Sequence, residues 1–159
     1  MVLDLSMMSV ASFLTTILLL AVYSILDVRD RRVRNGFVFL GCILGSIVLL
    51  LTGHYIQNML LHLTSLLMVI PLVYILFRLG SIGGADAKVL FTITLLSPGI
   101  ELGDWGEPIL EAVIGLGGEI VLMLLGGYLF WRYKNKEGTP PLIPFLFVGY
   151  LVMQILAML

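Results

Sequence analysis

Met7-Met8-Ser9-Val10-Ala11-Ser12-Phe13-Leu14-Thr15-Thr16-Ile17-Leu18-Leu19-Leu20-Ala21-Val22-Tyr23-Ser24-Ile25-Leu26 carries no charged side chain, and Asp27-Val28-Arg29-Asp30-Arg31-Arg32-Val33-Arg34-Asn35 follows it without a break. An uncharged run of about 20 residues has the length of a helix that crosses the hydrocarbon of a bilayer. The abrupt basic cluster behind it reads as a membrane surface, because Lys and Arg collect in short cytoplasmic loops. That positive flank follows the apolar stretch instead of preceding it, the reverse of a cleavable secretory signal. The run is therefore expected to remain as a first span.

The same template can be laid down five more times. Spans are expected at about 7–26, 37–52, 59–79, 87–96, 109–133 and 142–159, with Pro71 as a kink in the third. The composition agrees: 60% of the 159 residues are hydrophobic and 12% charged, with a mean hydropathy of +1.10, far from the balance of a water-soluble domain. The expected fold is all-α, one integral membrane bundle of six transmembrane helices over residues 1–159 with no separate soluble domain. A net charge of −1 gives no reason to expect nucleic acid as a partner. Cys42 is the single cysteine, so no internal disulfide can form, and it reads as a small buried hydrophobe.

All nine basic residues fall on one side of this arrangement. Arg29, Arg31, Arg32 and Arg34 lie between spans one and two, Arg78 and Lys88 flank the loop between three and four, and Arg132, Lys134 and Lys136 follow span five. This places those loops in the cytoplasm and both termini outside. The opposite side carries Asp4, the His54/Asn58 turn and a loop with Glu101, Asp104 and Glu107.

Acidic residues on the basic side need a reason. Asp27 closes span one, Asp30 and Glu137 lie in loops, and Asp86 ends Gly80-Ser81-Ile82-Gly83-Gly84-Ala85-Asp86 at the start of span four. Two carboxyls at one membrane edge could share a proton, which supplies a base to activate water and an acid to protonate a leaving amine. Gly83 and Gly84 would permit unusual backbone angles and the close approach of an extended substrate strand, and Ala85 is nearly as small. Plainer roles exist. Asp27 and Asp30 could neutralise the adjacent arginines, and Asp86 could simply cap a helix whose dipole favours it.

Asp27-Val28-Arg29-Asp30-Arg31-Arg32-Val33-Arg34-Asn35 resembles the first signature of the type IV prepilin peptidase family, and Gly83-Gly84-Ala85-Asp86-Ala87-Lys88 resembles its second, Gly-x-Gly-Asp followed by Lys. Ala85 stands at the last Gly of that motif, and Arg34 where many members carry Pro. Six spans in this order are similar to the compact archaeal branch that processes preflagellin (archaellin) and prepilin. Pro140-Pro141-Leu142-Ile143-Pro144-Phe145 resembles the Pro-rich entrance to the family's last helix. The resemblance implies a membrane aspartic peptidase with Asp27 and Asp86 as the catalytic pair. It would remove short basic leaders from pilin-like or archaellin precursors at the cytoplasmic face, with each precursor's hydrophobic helix lying among membrane lipids against the enzyme. Gly83, Gly84, Ala85 and Lys88 would shape the site, and Asp30 and Glu137 would read basic leader residues. N-methylation is not expected, since the chain lacks the inserted Cys-x-x-Cys domain of the bacterial enzymes.

Helix dipoles favour an ionised Asp86 at a helix start and disfavour an ionised Asp27 near a helix end. Asp86 is accordingly expected to be the base and Asp27 to hold the proton. Two rival functions compete. Glu119, among Leu116, Gly117, Gly118 and Ile120 of span five, could serve a small ion- or proton-coupled transporter or channel subunit. The small-residue faces Gly115/Gly118 and Gly126/Gly127 could serve a non-catalytic assembly subunit. His54 and His62 have no obvious carboxylate partner and do not read as a metal site, and no cofactor is expected.

Overall fold

The computed structural model describes residues 2–3, 6–31, 33–104, 106–134 and 139–158. Among these residues seven helices follow one another: α1 (Met7–Asp30), α2 (Asn35–Thr52), the single turn α3 (His54–Gln57), α4 (Met59–Arg78), α5 (Gly84–Leu96), α6 (Pro108–Tyr133) and α7 (Ile143–Leu156). A two-residue strand, β1 (Val2–Leu3), pairs antiparallel with β2 (Gly103–Asp104) and ties the start of the chain to the segment after α5.

Each segment expected to span is helical, and the ends follow from local chemistry. Ser6 caps α1 by accepting the Ser9 N–H at 3.2 Å, as a hydroxyl at that position does well. Gly53, at φ 80°, ends α2 in the left-handed conformation that glycine adopts without steric cost. Pro108 opens α6, where its missing N–H is no loss. Pro71 lies inside α4 without ending it.

Four helices, α1, α2, α4 and α6, are long and apolar enough to cross a membrane. At 13 and 14 residues, α5 and α7 reach only about 20 Å at 1.5 Å per residue, against a hydrocarbon core of about 30 Å. After α5 the chain continues as a buried irregular segment through Ser97, Ile100, Glu101 and Leu102.

The helices form a ring in which α1 packs on α2, α2 on α5, α5 on α4, α4 on α6, α6 on α7 and α7 back on α1, with α5 also reaching α1. Its centre is apolar, built from Leu20 and Tyr23 of α1, Val89 and Ile93 of α5, Met123 of α6 and Leu146 and Tyr150 of α7. Leu14, Leu18, Phe39, Leu51, Leu67 and Leu129 point outward and are exposed. Helices that are apolar on their outer faces as well suit lipid rather than water, and this is a multi-pass membrane protein.

The glycine faces of α6 are used inside the ring. A Cβ on Gly118 would strike Met153, one on Gly126 would strike Phe145, and one on Gly127 would strike Leu142, while Gly115 lies against Gly99 and Ile100. These small residues let α7 and the post-α5 segment approach α6, so the glycine faces serve packing within the chain.

Candidate active site

α1 continues one turn past its apolar run and carries Asp27 into the bundle at 7% exposure. Arg31 ends the helix, with its N–H on the Asp27 carbonyl at 3.2 Å and its backbone left-handed at φ 54°. Ile143, the first residue of α7, directs its N–H at Asp27 Oδ2 over 3.4 Å. Burial opposes a charge on Asp27, whereas the Ile143 N–H and the Arg31 guanidinium favour it.

Asp86 occupies the first turn of α5, ahead of that helix's apolar stretch. Its Oδ2 accepts the Gly83 N–H at 2.9 Å, the carboxylate half of a capping box. The modest capping role is therefore real, and it holds the carboxylate in one orientation. Partial burial pushes the Asp86 carboxyl up to about 6; the Gly83 N–H pulls it down, and the nearby charge of Asp27 raises it again. The two aspartates are thus close enough to feel each other, at one end of the bundle.

The expected proton assignment considered only each residue's own helix dipole, and other groups act on both aspartates. The N-terminal dipole of α5 does not keep Asp86 acidic, because burial and the Asp27 charge outweigh it. Asp27, in turn, faces the N-terminus of α7 as well as lying near the end of α1.

The two motifs meet directly. Lys88 Nζ donates to Asn35 Oδ1 at 2.7 Å, joining the last residue of the first motif to the last of the second. Gly83 is extended at φ −83° and Gly84 is helical, so neither uses the backbone freedom expected of it. The left-handed glycine in this loop is Gly80, at φ 73°. What Gly83 provides is space, since a Cβ there would lie 3.1 Å from Asp86 Oδ2. Ala85 is half-buried and joins the core packing. Asp30 sits 3.7 Å from Arg29 Nε, with both side chains largely exposed, which is the charge-neutralising role. Glu137, with Asp4, Arg32 and Lys136, lies outside the described residues.

A cavity of about 960 Å³ opens between α2 and α4 with α5 as its floor, lined by Gly84 and Ala87 on either side of Asp86 in sequence. Val38, Phe39 and Cys42 line one wall, Ile70 and Phe77 the other, and Asn35, Gly84 and Lys88 mark its polar end.

The sequence pattern of the type IV leader peptidase family matches residues 13–158, and both motifs lie within that stretch. The chain belongs to this family. No curated protein and no solved structure matches it. A type IV leader peptidase is a peptidase acting on prepilin-like precursors, and the carboxyl pair at the end of the bundle is chemistry of the kind that activity needs.

A buried polar cluster lies at the other end of the bundle. His54 Nε2 lies 2.9 Å from Glu101 Oε2, and His54 Nδ1 lies 3.1 Å from His62 Nε2. The expectation that these histidines lack a carboxylate partner fails because the post-α5 segment folds inward and brings Glu101 onto α3. Gln154 of α7 holds the same segment by accepting the N–H groups of Glu101 and Leu102 at 2.9 and 3.3 Å. Glu101→Ala should leave His54, at 1% exposure, without its acceptor and destabilise the protein by about 1–3 kcal/mol. Thermal unfolding in detergent reads this loss, while precursor cleavage below the transition stays unchanged.

Glu119 is 1% exposed, and neither carboxylate oxygen has a hydrogen-bond partner. The carboxyl of Glu101 lies near enough to act on it, and an ionised carboxylate there would carry its desolvation without compensation.

Proposed function

We propose that this chain is an aspartic endopeptidase that removes short basic leader peptides from type IV pilin-like or archaellin precursors at the cytoplasmic membrane face, with Asp27 and Asp86 as its catalytic pair. The observation that carries this reading is the approach of two aspartates from separate motifs, one closing α1 and one opening α5, near enough for the charge of Asp27 to act on Asp86. Asp27 takes a proton from water as the oxygen attacks the scissile carbonyl. Asp86 gives its proton to the amide nitrogen as the C–N bond breaks. One carboxyl has gained a proton and the other has lost one, and exchange across the pair restores the starting state.

The proposed topology has six crossings with both termini outside, as the charge asymmetry favours. The short α5 completes its crossing through the buried segment 97–102, a form of irregular backbone that membranes tolerate when protein encloses it. The apolar groove between α2 and α4 receives the precursor's hydrophobic helix, and the leader crosses the polar end at Asn35 and Lys88 to reach the aspartates. An archaeal origin is part of the same reading, through the compact six-span form. No cofactor enters the chemistry.

The test is cleavage of a prepilin-like precursor in membranes. Asp27→Asn and Asp86→Asn should each abolish leader removal while the protein still inserts, and Glu119→Gln should leave it largely intact. Loss with Glu119→Gln alone would favour the ion-coupled reading.

A further inference from the structure

Arg31 occupies a backbone conformation that its side chain does not favour. It is the one non-glycine residue with positive φ among the described residues, and at the end of a helix this conformation ordinarily belongs to glycine or asparagine. The guanidinium accounts for the choice. Arg31 Nη1 donates to the Thr139 carbonyl at 2.8 Å, which reaches from the end of α1 to the segment that enters α7.

That segment is short and stiff. Thr139-Pro140-Pro141-Leu142 leads into Ile143, and each proline fixes its own φ and restricts the residue before it. Leu142 and Ile143 are buried at 6% and 0% exposure. Fixing the Thr139 carbonyl therefore fixes where α7 begins. No side chain caps α7 from its own N-cap position, and Pro144 has no N–H to offer, so Ile143 supplies the first free donor of that helix. Its partner is Asp27 Oδ2. In effect, Asp27 caps α7 from a distant part of the chain through the Ile143 N–H, at the positive end of that helix.

We propose that Arg31 is a positioning residue of the active site, whose bond to Thr139 holds the Pro-rich strap so that the N-terminus of α7 stabilises the ionised Asp27 carboxylate. The proposal rests on the reading of Asp27 as the catalytic base. The same residue is anchored to Asp27 from both sides, since its N–H holds the Asp27 carbonyl and its side chain holds the strap that delivers Ile143. The charged groups acting within the pair are Arg31 on Asp27 and Asp27 on Asp86; α7 contributes backbone donors.

The experiment uses the full chain in lipid membranes and a precursor with a short basic leader before an apolar helix, followed from pH 4 to 9. Arg31→Gly relieves the left-handed backbone and keeps the helix end, so a purely structural role predicts equal or greater thermal stability and unchanged kinetics. The strap role instead predicts kcat lower by about tenfold with KM little moved. The acid limb of kcat should also rise by about half a pH unit, because an anion that loses its donors becomes easier to protonate. Arg31→Lys keeps a cationic donor within reach of Thr139 and should recover most of the rate. Wild-type kcat and an unmoved acid limb in Arg31→Gly, with Asp27→Asn inactive in the same membranes, would overturn the strap role alone. An active Asp27→Asn would overturn the catalytic assignment and the strap role with it.

Discussion

Asp86→Asn is expected to lower precursor cleavage by about 10²–10⁴-fold, the range of a lost acid–base partner, in a protein that remains folded. The amide oxygen introduced by this substitution can still accept the Gly83 N–H that Asp86 Oδ2 accepts at 2.9 Å, so the start of α5 keeps its cap. Stability should even gain at neutral pH. Asp86 rises from 3.8 to about 6 on folding, so the folded chain binds that proton more tightly than the unfolded one. The stabilisation this provides is full below pH 3.8 and is lost as pH rises through about 6; the amide removes the penalty that remains above that pH. A variant that unfolds at the same or a higher temperature and no longer cuts has lost chemistry and not structure. The wild-type profile provides a second check. If the pair works with one shared proton held on Asp86, kcat/KM should decline above about pH 6; a profile flat from pH 5 to 9 would contradict the shared proton.

The helical segments are legible in the sequence because the hydrophobic signal is long, local and uninterrupted by charge. The six expected segments coincide with α1, α2, α4, α5, α6 and α7 to within a few residues. The single turn α3 escapes such a reading because four residues carry no period, and the β1–β2 pairing because two residues per strand carry none either. The inward fold of 97–102 is the more consequential omission. Acidic loop residues on the outer side read as solvated, yet Glu101 is 5% exposed, since His54 on α3 gives it a partner that only the tertiary fold provides.

The site divides along the same line. Asp27 and Asp86 can be picked out because a carboxylate at the end of an apolar run is conspicuous. Their electrostatics cannot, because the environment of each is set by residues far away in sequence. Ile143 lies 116 positions from Asp27 and Thr139 lies 108 from Arg31. A helix dipole argument restricted to a residue's own helix therefore leaves out groups that act on both carboxyls. Gly83 stands at the expected position for a different reason, since its contribution is the absence of a Cβ beside Asp86 Oδ2. Asn35 has no role within its motif until the fold supplies one, the bond it accepts from Lys88.

Cys42→Trp is expected to raise KM for a full precursor by about tenfold, equivalent to about 1.4 kcal/mol of lost binding, with Cys42→Ala behaving as wild type. Cys42 lies on the wall of the groove between α2 and α4, and those two helices make no substantial contact with each other. The groove's 960 Å³ accommodates about two turns of a helix about 10 Å across, enough to grip the start of an apolar segment without enclosing it. An indole added there occupies the place of the guest helix, and Trp is otherwise well tolerated near a membrane surface, so insertion should not suffer. Binding energy from a remote part of the substrate serves to orient the reacting bond. A leader peptide cut down to a few residues beyond the scissile bond draws no such energy from the groove, and its slow cleavage should be the same in Cys42→Trp and wild type. Equal slowing of both substrates would mean that the indole disturbs Asp86 through α5, and unchanged KM for the full precursor would place the substrate helix elsewhere.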